Sequence, residues 1–359
     1  MSYSPFRHIG SVFWKRSPIQ LTFFLTKRCN SRCSFCFYRA NVDVREEKGA
    51  ELSLGEIEKV SGSMGKLLWL AFSGGEIFLR DDIVEITKVF YERNKPAIIL
   101  FPTNGLLTDV IREKIENVLK HCVNSTIVVK LSLDGPERIH DVIRGRKGSF
   151  RTTMQTYEAL GPLIDKYANF ELGINTVYCS ANQDHMDEVI EFVGRLDRIK
   201  THTVSLVRGK GLEEIDIEKY RETTDKLAEN LRRKISSMYR FRGARLKAAQ
   251  DILQRRLIYD TETLKKKLVD CYAGRLNLVL TETGDLYPCE SFSMRMGNVR
   301  ESEYNIKEMM RSGQVRTVLS TIRETGCFCS HECYLMTNIL FSVRMYPRLM
   351  KEYLQLTGD

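Results

Sequence analysis

Six short apolar segments alternate with helical segments along the first 210 residues, and this alternation restricts the possible fold more than any other feature of the chain. The segments are rich in β-branched and aromatic residues, as β-strands are. They lie at Ile19–Leu25, Leu67–Phe72, Ala97–Phe101, Thr126–Leu133, Glu171–Val177 and Thr203–Val207. Alternating strands and helices favour an α/β fold with a parallel sheet, and right-handed crossovers curl six such units into an open barrel. The sequence therefore predicts a partial (βα)6 TIM-like barrel, with functional residues in loops at the carboxyl ends of the strands.

Three cysteines, Cys29, Cys33 and Cys36, follow the first predicted strand with gaps of three and two residues. Three thiolates in such a loop can hold three corners of a cubane iron–sulfur cluster. Because the sequence has no fourth cysteine near this loop, the fourth iron would be open to an outside ligand, as in catalytic metal sites. The alternative is a zinc site or a set of buried thiols. Zinc needs a fourth ligand, and the nearest histidine, His8, precedes the strand.

The loop resembles the cysteine motif of the radical S-adenosylmethionine (SAM) superfamily, in which Phe35 matches the aromatic residue before the last cysteine. The resemblance implies that Cys29, Cys33 and Cys36 hold a catalytic [4Fe–4S] cluster with an open iron site. It also implies that SAM chelates the open iron through its amino and carboxylate groups. One electron from the cluster then cleaves the sulfonium and releases a 5′-deoxyadenosyl radical.

The loops after the second and third predicted strands add further motifs. The sequence Gly74-Gly75-Glu76 is similar to the superfamily's motif for the SAM amino group. Two glycines also let the backbone approach a ligand closely. Asn104, in an Asn-Gly turn after the third strand, could shape the same cofactor pocket. Either motif alone could be an ordinary turn, but their positions after successive strands favour a shared cofactor site.

Three more cofactor contacts are predicted near the fourth and fifth strands. By resemblance to the branch of the superfamily with C-terminal cluster domains, Ser132 and Arg144 contact the SAM carboxylate or ribose. An arginine can bind a carboxylate through two parallel hydrogen bonds. Asn175, in the fifth strand, could face the adenosine, or it could be a polar residue satisfied inside the barrel. His140 and Asp141 are expected to be structural residues at a helix start.

A second group of five cysteines lies near the end of the chain. The spacing of Cys271, Gly284 and Cys289 resembles the opening of SPASM and twitch domains, which bind auxiliary iron–sulfur clusters. Full SPASM domains have seven cysteines, whereas here only Cys327, Cys329 and Cys333 follow. The resemblance implies one auxiliary [4Fe–4S] cluster held by four of the five thiolates, with a structural zinc site as the alternative. The sequence does not identify the four.

The sequence predicts that the chain is divided into four regions. We expect an N-terminal cap over residues 1–18, the barrel over 19–210, a solvent-exposed helical bridge over 211–270, and a small cysteine-rich α+β cluster domain with a C-terminal helix over 271–359. The hairpin of this last domain is predicted at Leu276–Thr281 and Leu286–Pro288. A membrane-surface role for the aromatic and basic first residues is less favoured than a cap. Cys122 and Cys179 are expected to be buried core residues.

The resemblance implies an enzyme whose adenosyl radical takes a hydrogen atom from its substrate. We expect a peptide that is oxidised or crosslinked. Because the start of the chain is too short for a separate leader-binding domain, a small molecule such as a sugar or cyclitol stays an alternative. A non-catalytic iron–sulfur electron carrier or a zinc-binding module is a more distant alternative.

A reducing cytoplasm is expected from the clustered cysteines and from the absence of a transmembrane segment. The net charge of +9 suits an electron donor such as flavodoxin or ferredoxin. No nucleic-acid partner is expected.

Overall fold

The computed structural model describes residues 2–38, 51–209, 211–233, 244–291 and 293–356. It contains all six predicted strands of the barrel. They are β1 Gln20–Thr26, β2 Trp69–Gly74, β3 Ile98–Thr103, β4 Thr126–Ser132, β5 Phe170–Tyr178 and β6 Thr201–Leu206. Each pairs in parallel with the next strand along the chain. The α/β class and the open, partial barrel predicted from the sequence are therefore confirmed.

Three C-terminal strands extend this sheet beyond β1. They are β7 Asn277–Leu280, β8 Asp285–Tyr287 and β9 Gly297–Asn298, and the strand order is β6-β5-β4-β3-β2-β1-β7-β8-β9. Strands β7 and β8 form the predicted antiparallel hairpin. Strand β7 also pairs in parallel with β1, so that Gln20 lies opposite Asn277. The hairpin of the second cysteine group thus continues the sheet that carries the first.

Twelve helices among the described residues complete the fold. They are α1 Leu54–Ser63, α2 Ile83–Asn94, α3 Thr108–His121, α4 Glu137–Arg144, α5 Ser149–Lys166, α6 Met186–Gly194, α7 Ile217–Arg233, α8 Ala244–Leu264, α9 Ile306–Met309, α10 Gly313–Glu324, α11 Glu332–Leu340 and α12 Tyr346–Gln355. Within the described ranges, no helix is both long enough and apolar enough to cross a membrane.

The strands divide the interior of the molecule into an apolar layer and a polar barrel interior. Side chains alternate between the two faces of a strand. On β1, Leu21, Phe23 and Leu25 are fully buried in the cluster that includes the apolar residues of α1 and α2. Residues of the other parity, such as Thr22, point to the inside of the barrel. A polar interior provides hydrogen-bonding groups for a substrate or cofactor.

The region predicted to be a solvent-exposed helical bridge contains two helices that are partly buried. Helices α7 and α8 share a buried cluster with the C-terminal helices, including Leu231, Leu253 and Leu349. Helix α11 in turn bonds to both ends of the parallel sheet, because Thr337 donates to Gln20 of β1 (2.6 Å) and Glu332 accepts from the backbone of Leu206 in β6 (3.3 Å). The many charged residues of α7 and α8 predict exposed helices, but the apolar residues of both helices form one buried face.

One ion pair, between Glu56 and Arg300, ties the barrel to the C-terminal region. Glu56 in the first turn of α1 accepts hydrogen bonds from Arg300 (2.7 Å) and Tyr304 (2.9 Å). The Arg300 hydrogen bond is the main cause that lowers the pKa of Glu56 from 4.5 to about 2.

We expect Glu56→Gln to lower the free energy of unfolding by about 1.5–3 kcal/mol at pH 7, the contribution of hydrogen bonds to a charged group. The stabilisation depends on ionised Glu56, so it is complete above the unfolded pKa of 4.5 and is lost as the pH falls towards 2. Urea denaturation at pH 7 and pH 3 checks this, because the difference between variant and wild type should shrink. Glu58→Gln, which removes an exposed pair with Arg93, is the control and should change stability by less than about 1 kcal/mol. An equal loss in both variants would contradict the assignment.

Candidate functional site

The first cysteine loop leaves β1 at the carboxyl edge of the sheet and is held against the loop after β2. The backbone of Gly75 donates to Thr26 (2.8 Å), and that of Glu76 donates to Arg28 (2.8 Å). A Cβ atom on Gly74 would lie 2.4 Å from the carbonyl oxygen of Thr26, and one on Gly75 would lie 2.1 Å from that of Arg28. The two glycines therefore permit a close approach, here between two backbone loops.

The carboxylate of Glu76 organises the loop after β3. It is fully buried and accepts hydrogen bonds from the Thr103 hydroxyl (2.8 Å) and from the backbone of Asn104 (2.8 Å) and Phe78 (3.3 Å). Burial raises its pKa, whereas these donors lower it. Glu76 thus joins the second and third loops at the strand ends, where the sequence predicts one cofactor pocket.

Asn104 continues this network to the cysteine loop. Its side-chain amide donates to Asn30 (2.6 Å) and to Ser31 (3.2 Å), both of which lie between Cys29 and Cys33. Its own oxygen accepts from the backbone of Leu106 (3.0 Å). The structure therefore brings together the predicted site residues Glu76 and Asn104 and connects them to the cysteines.

The carboxyl end of α4 supports the other side of the cysteine loop. The backbone of Arg32 donates to the carbonyl of Arg144 (3.0 Å), and that of Ser34 donates to the carbonyl of Ile143 (2.9 Å). The next residue, Gly145, has a positive φ of 58°, and a Cβ there would lie 2.7 Å from the carbonyl oxygen of Arg32. The last carbonyls of a helix have no partners within the helix, and here the cysteine loop supplies two.

Arg144 itself lies beside a cysteine. Its Nε donates to the Asp134 carboxylate at 2.6 Å, and its Nη1 is 3.5 Å from the sulfur of Cys33. The guanidinium also lies 5.5 Å from the centre of the Phe35 ring. Asp134 is completely buried and accepts a second hydrogen bond from the backbone of Val177 in β5 (2.9 Å). A positive charge at this distance stabilises the thiolate form of Cys33.

The three thiols are suited to bind a metal cluster. Burial raises the pKa of Cys29 to about 11, and the Cys33 and Cys36 thiols, which lie close enough to act on it, raise it further. Burial also raises the pKa of Cys33, and Arg144 opposes this increase. The raised pKa values of Cys29 and Cys33 favour their protonated forms in the absence of a metal. A metal that binds them replaces the protons and removes the unfavourable proximity of three negative charges.

Ser132 and Asn175 lie side by side at the end of the barrel interior, as adjacent residues of β4 and β5. The Asn175 oxygen accepts from the hydroxyl of Ser205 in β6 (3.3 Å). His140 and Asp141 take structural positions. His140 accepts from the backbone of Asp134 (3.1 Å), and Asp141 accepts from Ser149 (2.8 Å) and from the backbone of Phe150 (2.9 Å) at the start of α5.

The second cysteine group assembles around the C-terminal hairpin. Cys271 precedes β7, Cys289 follows β8, and Cys327 and Cys329 lie between α10 and α11. Burial raises the pKa of Cys289 to about 12, with further increases from Cys329, Cys271 and Cys327. The pKa of Cys329 rises similarly, with contributions from Cys271 and Cys327. These four thiols therefore lie close to one another.

Cys333 has different surroundings. Its thiol lies in the first turn of α11, where burial raises its pKa to about 12 and the neighbouring charges are those of Glu290, Arg208 and Glu332. Among the described residues, no three His, Cys, Asp or Glu side chains converge on a single metal ion. In an iron–sulfur cluster the cysteines bind separate irons, so convergence on one point is not required.

A charged network that the sequence pattern does not predict lies between the two cysteine groups. Arg208, just after β6, pairs with Glu290 (2.6 Å), which also contacts His331 (3.1 Å). The Arg208 guanidinium lies 5.5 Å from the centre of the Phe37 ring, next to the first cysteine loop. The only signal in the sequence is that Glu290 and His331 flank cysteines, which does not reveal their partner.

Residues 23–193 match the family model described as the radical SAM superfamily. SkfB, the sporulation killing factor maturation protein of Bacillus subtilis (strain 168), is 27% identical over 186 residues, which cover 51% of this chain and 42% of SkfB. The AdoMet-dependent heme synthase of Methanosarcina barkeri (strain Fusaro / DSM 804) is 26% identical over 315 residues, which cover 83% of this chain and 84% of the synthase. The chain thus spans less than half of SkfB and most of the synthase.

A solved structure is similar over nearly the whole chain. It is that of native anSMEcpe with bound AdoMet and Cp18Cys peptide, which covers 95% of this chain and 100% of its own with a TM-score of 0.59. The sequence identity is 18%, so this likeness concerns the fold, including the region of the C-terminal cysteines.

Proposed function

We propose that this chain, whose residues 23–193 match the family model of the radical SAM superfamily, is an enzyme that cleaves SAM reductively and oxidises or crosslinks a peptide. The observation that carries the proposal is the cysteine loop, which is held at the strand ends between the Gly74-Gly75 loop and α4. When bound, a [4Fe–4S] cluster and SAM supply a 5′-deoxyadenosyl radical, which takes a hydrogen atom from the substrate. The protein orients the reacting groups and excludes water.

Different residues of the chain have different proposed roles in this reaction. Cys29, Cys33 and Cys36 would hold the cluster, and Arg144 would stabilise the Cys33 thiolate from a distance of 3.5 Å. We propose that the remaining predicted contacts hold SAM at the same edge of the sheet. They are Phe35, Gly74, Gly75, Glu76, Asn104, Ser132 and Asn175. Because Glu76 already accepts three internal hydrogen bonds, it would also fix the shape of the pocket.

We further propose that one auxiliary [4Fe–4S] cluster is held by Cys271, Cys289, Cys327 and Cys329. The thiols of these four cysteines are close enough to raise one another's pKa values. In contrast, the charged neighbours of Cys333 are Glu290, Arg208 and Glu332. Four mutually close thiols match the four ligands of a cubane. This cluster would accept the electron that remains on the substrate after hydrogen abstraction. Cys333 would then be the fifth, non-ligating cysteine.

A peptide is the first choice of substrate because SkfB is a maturation protein and anSMEcpe binds a peptide together with AdoMet. A small molecule is the second candidate, and a specific observation favours it. The heme synthase aligns with 83% of this chain and 84% of its own, a more complete match than that with SkfB. A tetrapyrrole therefore joins the sugar-like molecules as a small-molecule candidate. Flavodoxin or ferredoxin would be the electron donor in either case.

The experiment is anaerobic incubation of the reconstituted enzyme with SAM and dithionite, followed by chromatography for 5′-deoxyadenosine. We expect its formation, whereas an electron carrier or a zinc module would give none. Adding short peptides encoded next to the gene, or iron-free and iron-bound tetrapyrroles, then separates the substrate classes. Loss of hydrogens from a peptide, measured by mass spectrometry, supports the first candidate, and a change in a tetrapyrrole alone supports the second.

A further inference from the structure

Lys130 places an amine on the inner face of β4. It lies two residues before Ser132, on the same side of the strand, so its side chain enters the barrel interior below the proposed cofactor edge. Its Nζ is 2.5 Å from the Thr201 hydroxyl and 3.0 Å from the Thr203 hydroxyl, both on β6. The amine is thus held across the width of an intervening strand.

A glycine makes this reach possible. Gly173 of β5 lies between Lys130 of β4 and Thr201 of β6 in the sheet register. A Cβ atom on Gly173 would lie 2.9 Å from Lys130 Nζ and 2.6 Å from Thr201 Oγ1. Because no side chain occupies this position, Lys130 can pass over β5 and place its amine between two hydroxyls.

Charges from two elements, α8 and β5, surround the amine. Burial and then Lys247 of α8 lower the pKa of Lys130 to about 7, whereas Asp251 of α8 and Glu171 of β5 raise it, and Arg255 of α8 lowers it. Lys247 and Asp251 form an ion pair with each other. His202 of β6 also lies nearby, but burial lowers its pKa to about 3, so it is neutral at pH 7. Two of the charges that face the amine are positive and two are negative, so burial is the main reason that the pKa of Lys130 is lowered.

We infer that Lys130 is the general base of the barrel interior, and that it accepts the proton released when the substrate is oxidised. This inference rests on the proposed function. The 5′-deoxyadenosyl radical takes one hydrogen atom from a substrate C–H bond. The substrate radical then passes one electron to the oxidised auxiliary cluster and one proton, from an adjacent N–H, O–H or S–H bond, to Lys130 Nζ. The substrate loses two hydrogens in total, and the amine becomes an ammonium group held by Thr201 and Thr203.

The choice of lysine is consistent with the site. A buried lysine can be neutral near pH 7 and then act as a base, and a base works best when its pKa is near the working pH. Thr201 and Thr203 can accept hydrogen bonds from the ammonium form and donate to the neutral form. They can therefore hold the amine in place in both states.

The test is competitive acylation of the 359-residue chain with isotope-labelled acetic anhydride from pH 6 to pH 11, followed by peptide mass spectrometry. Only a neutral amine reacts, so we expect the reactivity of Lys130 to rise with a midpoint near 7. Lys166, whose pKa is raised by the hydrogen bond to Glu116, is the internal control and should react only at much higher pH. The variant Lys247→Met should raise the Lys130 midpoint, and Asp251→Asn should lower it.

Two acylation results would overturn the inference without touching the proposed function. One is a Lys130 midpoint near that of an ordinary lysine, and the other is no acylation of Lys130 in the folded chain, since a base must be reachable from the interior. With a substrate that the wild-type enzyme oxidises, Lys130→Met should lower the ratio of oxidised product to 5′-deoxyadenosine by about 10²–10⁴-fold, the contribution of a general base. An unchanged ratio would also exclude the role. Absence of 5′-deoxyadenosine from wild type would instead reject the proposed function.

Discussion

The variant in which Cys29, Cys33 and Cys36 are all replaced by alanine is expected to form no 5′-deoxyadenosine and to keep about four irons per chain, the content of one cubane. The reason is that the two cysteine groups lie on different elements. The first follows β1, and the second surrounds the β7–β8 hairpin and the segment before α11. Removal of the first set leaves the second set and its backbone supports intact. Iron and sulfide analysis with Mössbauer spectroscopy after anaerobic reconstitution measures the outcome.

Variants of the second group provide the matched controls. Cys329→Ala should lose the auxiliary iron because its thiol lies among those of Cys271 and Cys327, whereas Cys333→Ala should retain it. Loss of iron in the Cys333 variant and retention in the Cys329 variant would reverse the proposed ligand set. If the triple variant instead binds zinc or no metal, the C-terminal cysteines form a structural site and the auxiliary cluster does not exist. Insolubility of Cys329→Ala is a separate outcome, since metal binding and folding are linked, and the soluble triple variant then decides.

The barrel could be predicted because each of its strands and helices is specified by residues that are close together in the sequence. Each strand of the parallel sheet places apolar side chains at alternate positions on its helix-facing side, as Ile127, Val129 and Leu131 of β4 do, and each is followed by a helix with its own apolar spacing. The motifs after the first three strands could likewise be placed, since consecutive parallel strands end at the same edge of the sheet. The contact of Glu76 with Asn104 (2.8 Å) and that of Asn104 with Asn30 (2.6 Å) follow from this arrangement.

Long-range pairing was not predictable from the same information. Nothing in the β7 segment specifies that it pairs with β1, more than 250 residues earlier. The periodicity of a strand determines which face is buried but does not identify its neighbour. The network of Arg208, Glu290 and His331 is hidden for the same reason, because its members come from three distant segments.

The ion pair of Arg144 with Asp134 could not be predicted from the sequence for a different reason. The sequence places it near the cofactor by resemblance, but the close pairing with Asp134 requires knowledge of how α4 returns towards the end of β4. In the structure its guanidinium lies between a carboxylate and the Cys33 sulfur. A residue that the sequence predicts as a contact for SAM therefore has a further electrostatic task in the cysteine loop itself.

Replacement of Asp134 by asparagine tests that task and should destabilise the fold more than Glu56→Gln does. Asp134 is completely buried, and Arg144 would lose its partner at 2.6 Å while remaining buried. Removal of one partner of a buried ion pair costs about 3–5 kcal/mol, because the remaining charge is uncompensated. The asparagine amide group would also direct its own donors towards the guanidinium or the backbone of Val177, which are donors too.

We expect Asp134→Asn to affect iron binding at the first cysteine site as well as the stability of the fold. Once Arg144 is no longer held by Asp134, it loses its position beside Cys33, so the reconstituted Asp134→Asn variant should bind less iron at the first site and form less 5′-deoxyadenosine. Urea denaturation and iron analysis measure the two effects. The matched control is Glu137→Gln, which removes the exposed pair with Arg151 and should cost less than about 1 kcal/mol. If Asp134→Asn is as stable as that control and keeps its full iron content, then Arg144 does not depend on Asp134, and the support of Cys33 must come from the backbone contacts of α4 alone.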